Sequence, residues 1–170
     1  MLNSLITSKT RLRMLIKFFI NAANNGYLNG LASEFNESTN SIRKELNNLS
    51  GAGYLLKSKK NNKIIYSANT SHPLFAVIQK IVRQHIGLEQ IVETVIERIG
   101  DVDRIALIGK YAKGIDDGCI EIIINGSNVN KDYLESIKPK IKKKIGRDVN
   151  FLLNKNLDSN SIILFNGSKT

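Results

Sequence analysis

The chain has 170 residues, 42 % of them hydrophobic, which is enough for one large domain or two small ones. A single cysteine, Cys119, excludes an internal disulfide and a cysteine-cluster zinc site, and His72 and His85 have no second ligand at metal-binding spacing. No secretory signal and no uncharged apolar run of about 20 residues is found, so we expect a cytoplasmic protein with no membrane contact. The net charge of +10 is uneven: residues 1–70 hold ten Lys or Arg against three Asp or Glu, and residues 71–170 fifteen against twelve.

An amphipathic helix is predicted at the start of a segment that runs from Ser8 to Ala68. Its apolar residues recur at the spacing of one buried helical face. They are Leu12, Leu15, Ile16, Phe19, Ile20 and Ala23. Gly26 and Gly30 are predicted to flank the loop that ends this helix, and a short second helix follows over residues 31–35.

A third helix is predicted over residues 39–50, after a tight turn at residues 36–38. It buries three residues at i, i+4 and i+7, which are Ile42, Leu46 and Leu49. Two strands near residues 55–59 and 64–68 then form a hairpin. Asn61 and Asn62 join them, and both residue types tolerate positive φ.

Two helices joined by a short turn and followed by a basic two-stranded ribbon indicate a winged helix-turn-helix, whose second helix enters a DNA major groove. The apolar face of the third helix turns five polar residues outward, and the ribbon carries four lysines. These candidate DNA-binding residues are Thr39, Asn40, Arg43, Lys44, Asn47, Lys57, Lys59, Lys60 and Lys63. Arg43 or Asn47 suits base contacts, whereas the lysines suit phosphates. The alternatives are solvated helix residues, or a small helical domain that binds a protein partner.

Residues 71–100 are predicted to form a helical connector between a first domain over 1–70 and a second over 101–170. Ser71-His72-Pro73 is typical of a helix start, with His72 in the cap and Pro73 at the first helical position. Gly87 separates two predicted amphipathic helices, and the second helix ends at Gly100. Their apolar faces comprise Leu74, Val77, Ile78, Ile81 and Val82, then Leu88, Ile91, Val92, Val95, Ile96 and Ile99. We expect part of this surface to cover the second domain and part to form a homodimer interface. The alternative is that both helices are buried within the monomer.

The carboxy-terminal residues alternate between strand and helix patterns. Strands are predicted over residues 104–108, 119–124, 148–153 and 162–165, with a helix over 132–144. This order predicts a small α/β unit with a mixed sheet, so the whole chain is expected to be an α+β protein. The helix also carries Lys138, Lys140, Lys142, Lys143 and Lys144. We interpret them as a solvated helix face in preference to a second nucleic-acid patch.

Two motifs follow the first strand of this unit, Gly109-Lys110-Tyr111-Ala112-Lys113-Gly114 and then Cys119-Ile120-Glu121. Their order resembles the minimal nucleotidyltransferase domain of the DNA polymerase β superfamily. The resemblance implies a Gly-Ser pair that binds the triphosphate, an Asp-x-Asp pair that holds two Mg²⁺ ions, and a third acid on a later strand. Lys110 stands at the serine position, Cys119 and Glu121 at the aspartates, and the third position falls near Asp148 or Asn150.

These substitutions predict an inactive domain. Two-metal phosphoryl transfer needs a hard oxygen ligand that bridges both ions, which a neutral Cys119 thiol does not supply, and Glu121 is one methylene too long. We therefore expect no catalysis, no metal and no cofactor, with Cys119 and Glu121 as degenerate metal positions. Gly109, Lys110 and Lys113 remain candidate anion-binding residues for a nucleotide or phosphate effector. The domain is then a scaffold or a ligand sensor.

The order of winged helix, residues 66–75, two helices and the Gly-x-Tyr-Ala strand pair is similar to bacterial ArsR-like winged-helix regulators fused to a nucleotidyltransferase-like domain. The resemblance implies a sequence-specific transcriptional regulator that binds double-stranded DNA, without the metal-sensing cysteines of true ArsR repressors. Two alternatives stay open. One is an active Mg²⁺-dependent nucleotidyltransferase whose winged helix holds the substrate, and the other is a protein-binding adaptor.

Overall fold

Helices and strands alternate along residues 2–167, which the computed structural model describes, in an α+β fold. The chain divides between His85 and Ile86 into two units, each with a sheet and a core of its own. This division falls inside residues 71–100, the predicted connector, so its first helix lies mainly in the first unit and its second helix in the second.

The first unit contains helices packed beside a three-stranded antiparallel sheet of order β1-β3-β2. Its elements are α1 (Leu2–Leu5), α2 (Lys9–Phe19), β1 (Asn25–Gly26), α3 (Leu28–Phe35), α4 (Thr39–Gly51), β2 (Leu55–Lys60), β3 (Lys63–Ala68) and α5 (Phe75–Ile86). These are the helices and the hairpin of a winged helix-turn-helix, and we use "wing" for β2, β3 and the turn between them.

Helix α4 and the wing form where the sequence predicts them. The Ser38 hydroxyl caps α4 by accepting from the Ser41 amide at 3.2 Å. The strands pair from Leu55 opposite Ala68 to Lys60 opposite Lys63. Asn61 and Asn62 close the hairpin with φ of 48° and 58°, the left-handed pair that a two-residue turn between twisted strands requires.

Helix α2 is buried on more sides than its apolar stripe predicts. Met14 and Phe18, outside the stripe, are fully buried, whereas Ala23 is exposed and lies beyond the end of the helix at Phe19. The reason is that α1, α4 and β3 all pack against α2. The predicted stripe was therefore wrong in extent, because a helix enclosed by several neighbours needs apolar residues on several faces.

Two predicted helix boundaries in the first unit were wrong. Gly30 lies inside α3, which begins at Leu28, three residues earlier than predicted. Pro73 does not begin α5, which starts at Phe75. The cap role predicted for His72 is not confirmed, because its Nδ1 accepts at 3.1 Å from the amide of Leu74, which precedes the first helical residue. The His72 ring is tilted by 44° against that of Tyr54, with centroids 4.4 Å apart.

The second unit contains a mixed sheet, as the sequence predicts, and its four strands have the order β6-β5-β4-β7. Its elements are α6 (Leu88–Ile96), β4 (Asp101–Ile108), α7 (Gly109–Ala112), β5 (Cys119–Ser127), α8 (Lys131–Ile145), β6 (Asp148–Leu153) and β7 (Ile162–Asn166). Strands β5 and β6 are parallel, with α8 as their crossover, and the other pairs are antiparallel. Helix α6 ends at Ile96, short of the predicted Gly100. None of the helices within residues 2–167 has the length and apolarity needed to cross a bilayer.

Candidate nucleic-acid interface

The basic side chains of α2 neutralise all three acidic residues of the first 70. Each pair joins α2 to α3, α4 or the turn between them, at a distance of 2.9 Å. The pairs are Arg11 with Glu45, Arg13 with Glu37, and Lys17 with Glu34. Because all three carboxylates of residues 1–70 are paired with α2, none is left to neutralise the other basic side chains of these residues.

The remaining positive charge of this segment is concentrated on α4 and the wing. Three of the ten Lys and Arg are consumed by these pairs, and of the seven others only Lys9 lies on α2. The other six are Arg43, Lys44, Lys57, Lys59, Lys60 and Lys63. All six are exposed, and none of them forms an ion pair within the described part of the chain. An uncompensated basic face of this kind is the electrostatic footprint of a phosphate-binding surface.

The outward orientation predicted for the third helix is confirmed. Thr39, Asn40, Arg43, Lys44 and Asn47 are all exposed, on the side of α4 opposite its buried face. Helix α4 thus presents polar side chains to solvent along its length. Such a helix can enter a major groove while its apolar face stays packed in the core.

A groove of about 590 Å³ separates α4 from the wing. It is lined by Tyr27, Leu28, Asn29, Arg43, Leu46, Asn47, Lys57, Asn62, Lys63, Ile64 and Tyr66, and we call it the wing groove. Four predicted residues meet there, two from α4 and two from the wing, which are Arg43, Asn47, Lys57 and Lys63. The other five predicted residues lie outside the lining.

Residues at the start of α3 also line the wing groove, and no sequence pattern predicts them as part of the interface. The Lys63 ammonium lies 4.4 Å from the centroid of the Tyr27 ring, and that of Lys57 lies 5.8 Å from the centroid of Tyr66. Both are cation–π distances. Tyr27 and Asn29 stand beside glycines that indicate a loop.

The predicted degenerate metal positions, Cys119 and Glu121, lie on β5 beside the parallel strand β6. Cys119 lies opposite Asp148, and Glu121 lies opposite Asn150. Burial raises the pKa of the Cys119 thiol, and the negative charges of nearby acids raise it further. The thiol is therefore neutral at pH 7 and is a poor ligand for a hard cation. Within residues 2–167, no group of three or more His, Cys, Asp and Glu side chains is arranged to hold a metal ion.

Carboxylates stand beside two of the three candidate anion-binding residues. Gly109 has φ of 69°, and its open side is occupied by the Glu121 carboxylate, which a side chain at this position would strike. Lys110 donates to Asp117 with Nζ 3.0 Å from Oδ2, and this hydrogen bond raises the pKa of the lysine. Lys113 is exposed. Anion binding at this turn stays a prediction, and the two carboxylates oppose it.

A partly buried cluster fixes the loop between α7 and β5. Tyr111 is fully buried, and its hydroxyl donates to Asp116 while accepting from the Arg147 Nε at 3.0 Å. The Arg147 Nη2 lies 2.7 Å from the Asp116 Oδ2. Burial raises the pKa of Tyr111, which keeps the hydroxyl protonated. For Asp116, burial opposes ionisation, but the Arg147 guanidinium and the Tyr111 hydroxyl outweigh it and lower the pKa.

No known protein-family model matches the chain, and no curated protein matches it either. Among solved structures, the chain is similar to the crystal structure of the AntR antimony-specific transcriptional repressor. The TM-score is 0.40 and the identity is 17 %, over 54 % of this chain and 77 % of that one. The assignment of the interface therefore rests on the charges and the geometry of α4 and the wing.

Proposed function

We propose that this protein is a transcriptional regulator that binds duplex DNA through α4 and the wing. The observation that carries the proposal is the segregation of charge: ion pairs on α2 consume the acids of the first 70 residues, and six unpaired cations are left on α4 and the wing. Duplex DNA presents one phosphate charge per 1.7 Å or so along its axis, so such a face releases several counterions on binding. A bacterial regulator of this kind works in the cytoplasm.

The two parts of the interface have different tasks in this proposal. Arg43 and Asn47 on α4 are placed to contact base edges, since both side chains make bidentate hydrogen bonds to purines in the major groove. Lys59 and Lys60 lie near the tip of the wing and bind phosphates irrespective of sequence. Further contacts with phosphates and bases come from three other exposed residues of α4, which are Thr39, Asn40 and Lys44.

Fluorescence anisotropy with a labelled duplex at low salt tests the proposal. The double variant Lys59→Gln/Lys60→Gln removes two wing charges, and we expect its affinity to fall on the order of tenfold or more. The control Lys140→Gln/Lys143→Gln removes the same charge from α8 of the second unit, and it should bind as the wild type does. Absence of any DNA affinity in the wild type would remove the proposal. Equal losses in both variants would instead support a second nucleic-acid patch on α8.

We also propose that the protein binds DNA as a homodimer. Helix α5 leaves Ile81 40 % exposed, and Leu5 of α1 is 82 % exposed. Both line an apolar groove of about 470 Å³ in the first unit, with α2 and the end of α4 as its other walls. Contiguous apolar surface is uncommon on monomers. A second copy of the chain on this face would supply a second α4 for a second half-site about one helical turn away.

The second unit is proposed to be a scaffold or an effector sensor and not a nucleotidyltransferase. The neutral Cys119 thiol and the Asn150 amide supply no bridging carboxylate at the positions where the related fold holds metal. Incubation with each labelled nucleoside triphosphate, Mg²⁺ or Mn²⁺ and a panel of acceptors should transfer no label. Transfer that Glu121→Ala abolishes would establish the enzyme instead. Calorimetric binding of a nucleotide without turnover would favour the sensor.

A further inference from the structure

Tyr27 lies between β1 and α3, and its aromatic ring faces the end of the wing. The backbone there is extended, with φ of −127° and ψ of 160°, as is usual for a residue that precedes a helix. The ring lies under the ammonium of Lys63, 4.4 Å from Nζ to the centroid. Lys63 of the wing thus contacts the residue that immediately precedes α3.

Gly30 makes this ring position available. A Cβ at Gly30 would lie 2.9 Å from Cε1 and from Cζ of Tyr27, closer than such atoms approach in proteins. The ring therefore occupies the space that any other side chain at position 30 would fill. Gly30 lies inside α3 and does not have a positive φ. Glycine is therefore needed here because it has no side chain, and not because of its backbone conformation.

We infer that Tyr27 is a positioning residue for DNA binding. Its ring holds Lys63 at the wing groove, where Lys63 and Lys57 bind the sugar–phosphate backbone of one DNA strand beside Arg43, which contacts the bases. This inference rests on the proposed function, and it specifies how the wing grips DNA. It separates Lys63 from Lys59 and Lys60 of the same wing, for which the described residues show no ring contact.

The composition of the groove favours a phosphodiester backbone as its occupant. Arg43 approaches from α4 while Lys57 and Lys63 approach from the wing, so three cations converge from two sides on one space. The amides of Asn29 and Asn62 add neutral hydrogen-bond donors. Ile64, which is 51 % exposed, offers an apolar contact suited to a deoxyribose. Phosphate charges alternating with apolar sugars match this pattern of cations, amides and one aliphatic side chain.

The Tyr27 ring restricts the side-chain conformation of Lys63 before DNA binds. A free lysine side chain has several rotatable bonds, and ordering it on binding costs entropy. A ring beneath the ammonium restricts that freedom in advance and leaves the outward N–H groups available to an anion. Lys63 should therefore contribute more to affinity than an unsupported lysine of the same wing.

Four single variants and one double variant of the full chain, measured by anisotropy on one duplex, test the inference. Tyr27→Leu removes the ring. Gly30→Ala retains the tyrosine but moves its ring, because the added Cβ occupies the space of the ring. Each should weaken binding about two- to five-fold, which is the size of an exposed cation–π contact. Tyr27→Phe keeps the ring and should bind like the wild type. In the background of Lys63→Ala, Tyr27→Leu should have no further effect.

The outcomes separate this inference from the proposed function. If the wild type does not bind DNA, the proposed function fails. If the wild type binds DNA but the losses from Tyr27→Leu and Lys63→Ala multiply independently, the positioning role is overturned and the proposed function stands. A loss in Tyr27→Phe equal to that in Tyr27→Leu would also overturn it, because the hydroxyl would then be the contact. If Tyr27→Leu does not fold, Gly30→Ala decides, and unchanged affinity in that variant contradicts the inference.

Discussion

The guanidinium of Arg11 on α2 donates to the carboxylate of Glu45 on α4, with Nε 2.9 Å from Oε2. Glu45 is only 5 % exposed, although it belongs to the helix proposed to enter DNA. The hydroxyl of Ser8, at the start of α2, donates to the same carboxylate at 3.4 Å. The carboxylate is thus held by two groups of one helix. This contact fixes the orientation of α4 while its opposite face remains free for DNA.

Replacing Arg11 by Ala should destabilise the first unit by about 1–3 kcal/mol. The variant leaves a buried carboxylate without its main partner, and the exposure of part of Arg11 reduces the full penalty for a broken buried pair. Urea unfolding followed by circular dichroism measures the change. Lys9→Ala removes the same charge from an exposed position on α2 and should change stability by less than about 0.5 kcal/mol. Equal effects of the two substitutions would show that the ion pair does not stabilise the fold.

Arg43→Ala should cost about 1–3 kcal/mol of binding free energy on the preferred sequence and relax the preference at one base position. The reason is that a bidentate contact to guanine discriminates among bases. Selection from a random duplex library, followed by sequencing, measures the preference. Lys60→Ala is the matched comparison, and it should weaken all sequences alike because a phosphate contact carries no sequence information. An unchanged preference in Arg43→Ala would assign that residue to the phosphates as well.

Local chemistry explains why α4 and the wing could be predicted. Ser38 supplies a cap, and the buried positions of α4 recur with the helical period. The turn at Asn61 and Asn62 needs two residues that accept positive φ. The strands of the second sheet are similarly marked by short apolar runs between turn residues. These features depend on neighbours in the chain, so a sequence pattern is sufficient to find them.

The wing groove depends on residues far apart in the chain, which is why sequence patterns predicted only four of its eleven lining residues. Gly30 was predicted in a loop because glycine usually breaks helices, yet it lies in α3 to leave space for the Tyr27 ring. Tyr27 meets Lys63 only after β1 pairs with β3. The Arg11–Glu45 pair likewise joins residues 34 positions apart. Such contacts follow from packing and have no local signature.

Ile81→Glu should shift the protein from dimer to monomer. Ile81 is 40 % exposed on α5 and lines the apolar groove, and a carboxylate placed in an apolar interface would be desolvated without a partner. Light scattering at micromolar concentration, without DNA, measures the mass. Ala76→Glu adds the same charge to an exposed position of α5 that does not line the apolar groove, and it should remain dimeric. A wild type that is monomeric both with and without DNA would contradict the proposed dimer.

The stability of the second unit should fall as the pH drops below about 4. Folding lowers the pKa of Asp116, because the Arg147 guanidinium and hydrogen bonds outweigh its burial, so the unfolded chain takes up a proton first. The stabilisation is present above the unfolded pKa and is lost as the pH falls through the folded one. Asp116→Asn should lose about 1–3 kcal/mol at neutral pH and show a shallower acid dependence. Urea unfolding from pH 7 to pH 2 measures both, with Asp103→Asn as an exposed control. A parallel pH dependence in Asp116→Asn and wild type would exclude this role.

The salt dependence of duplex DNA binding tests the central claim most directly. Six unpaired cations lie on α4 and the wing, and each one that neutralises a phosphate contributes about 0.9 to the slope of log affinity against log salt concentration. We predict a steep slope between about 50 and 200 mM salt, reduced by about two in Lys59→Gln/Lys60→Gln and unchanged in Lys140→Gln/Lys143→Gln. A slope near zero, or one that falls equally in both variants, would contradict DNA binding through α4 and the wing.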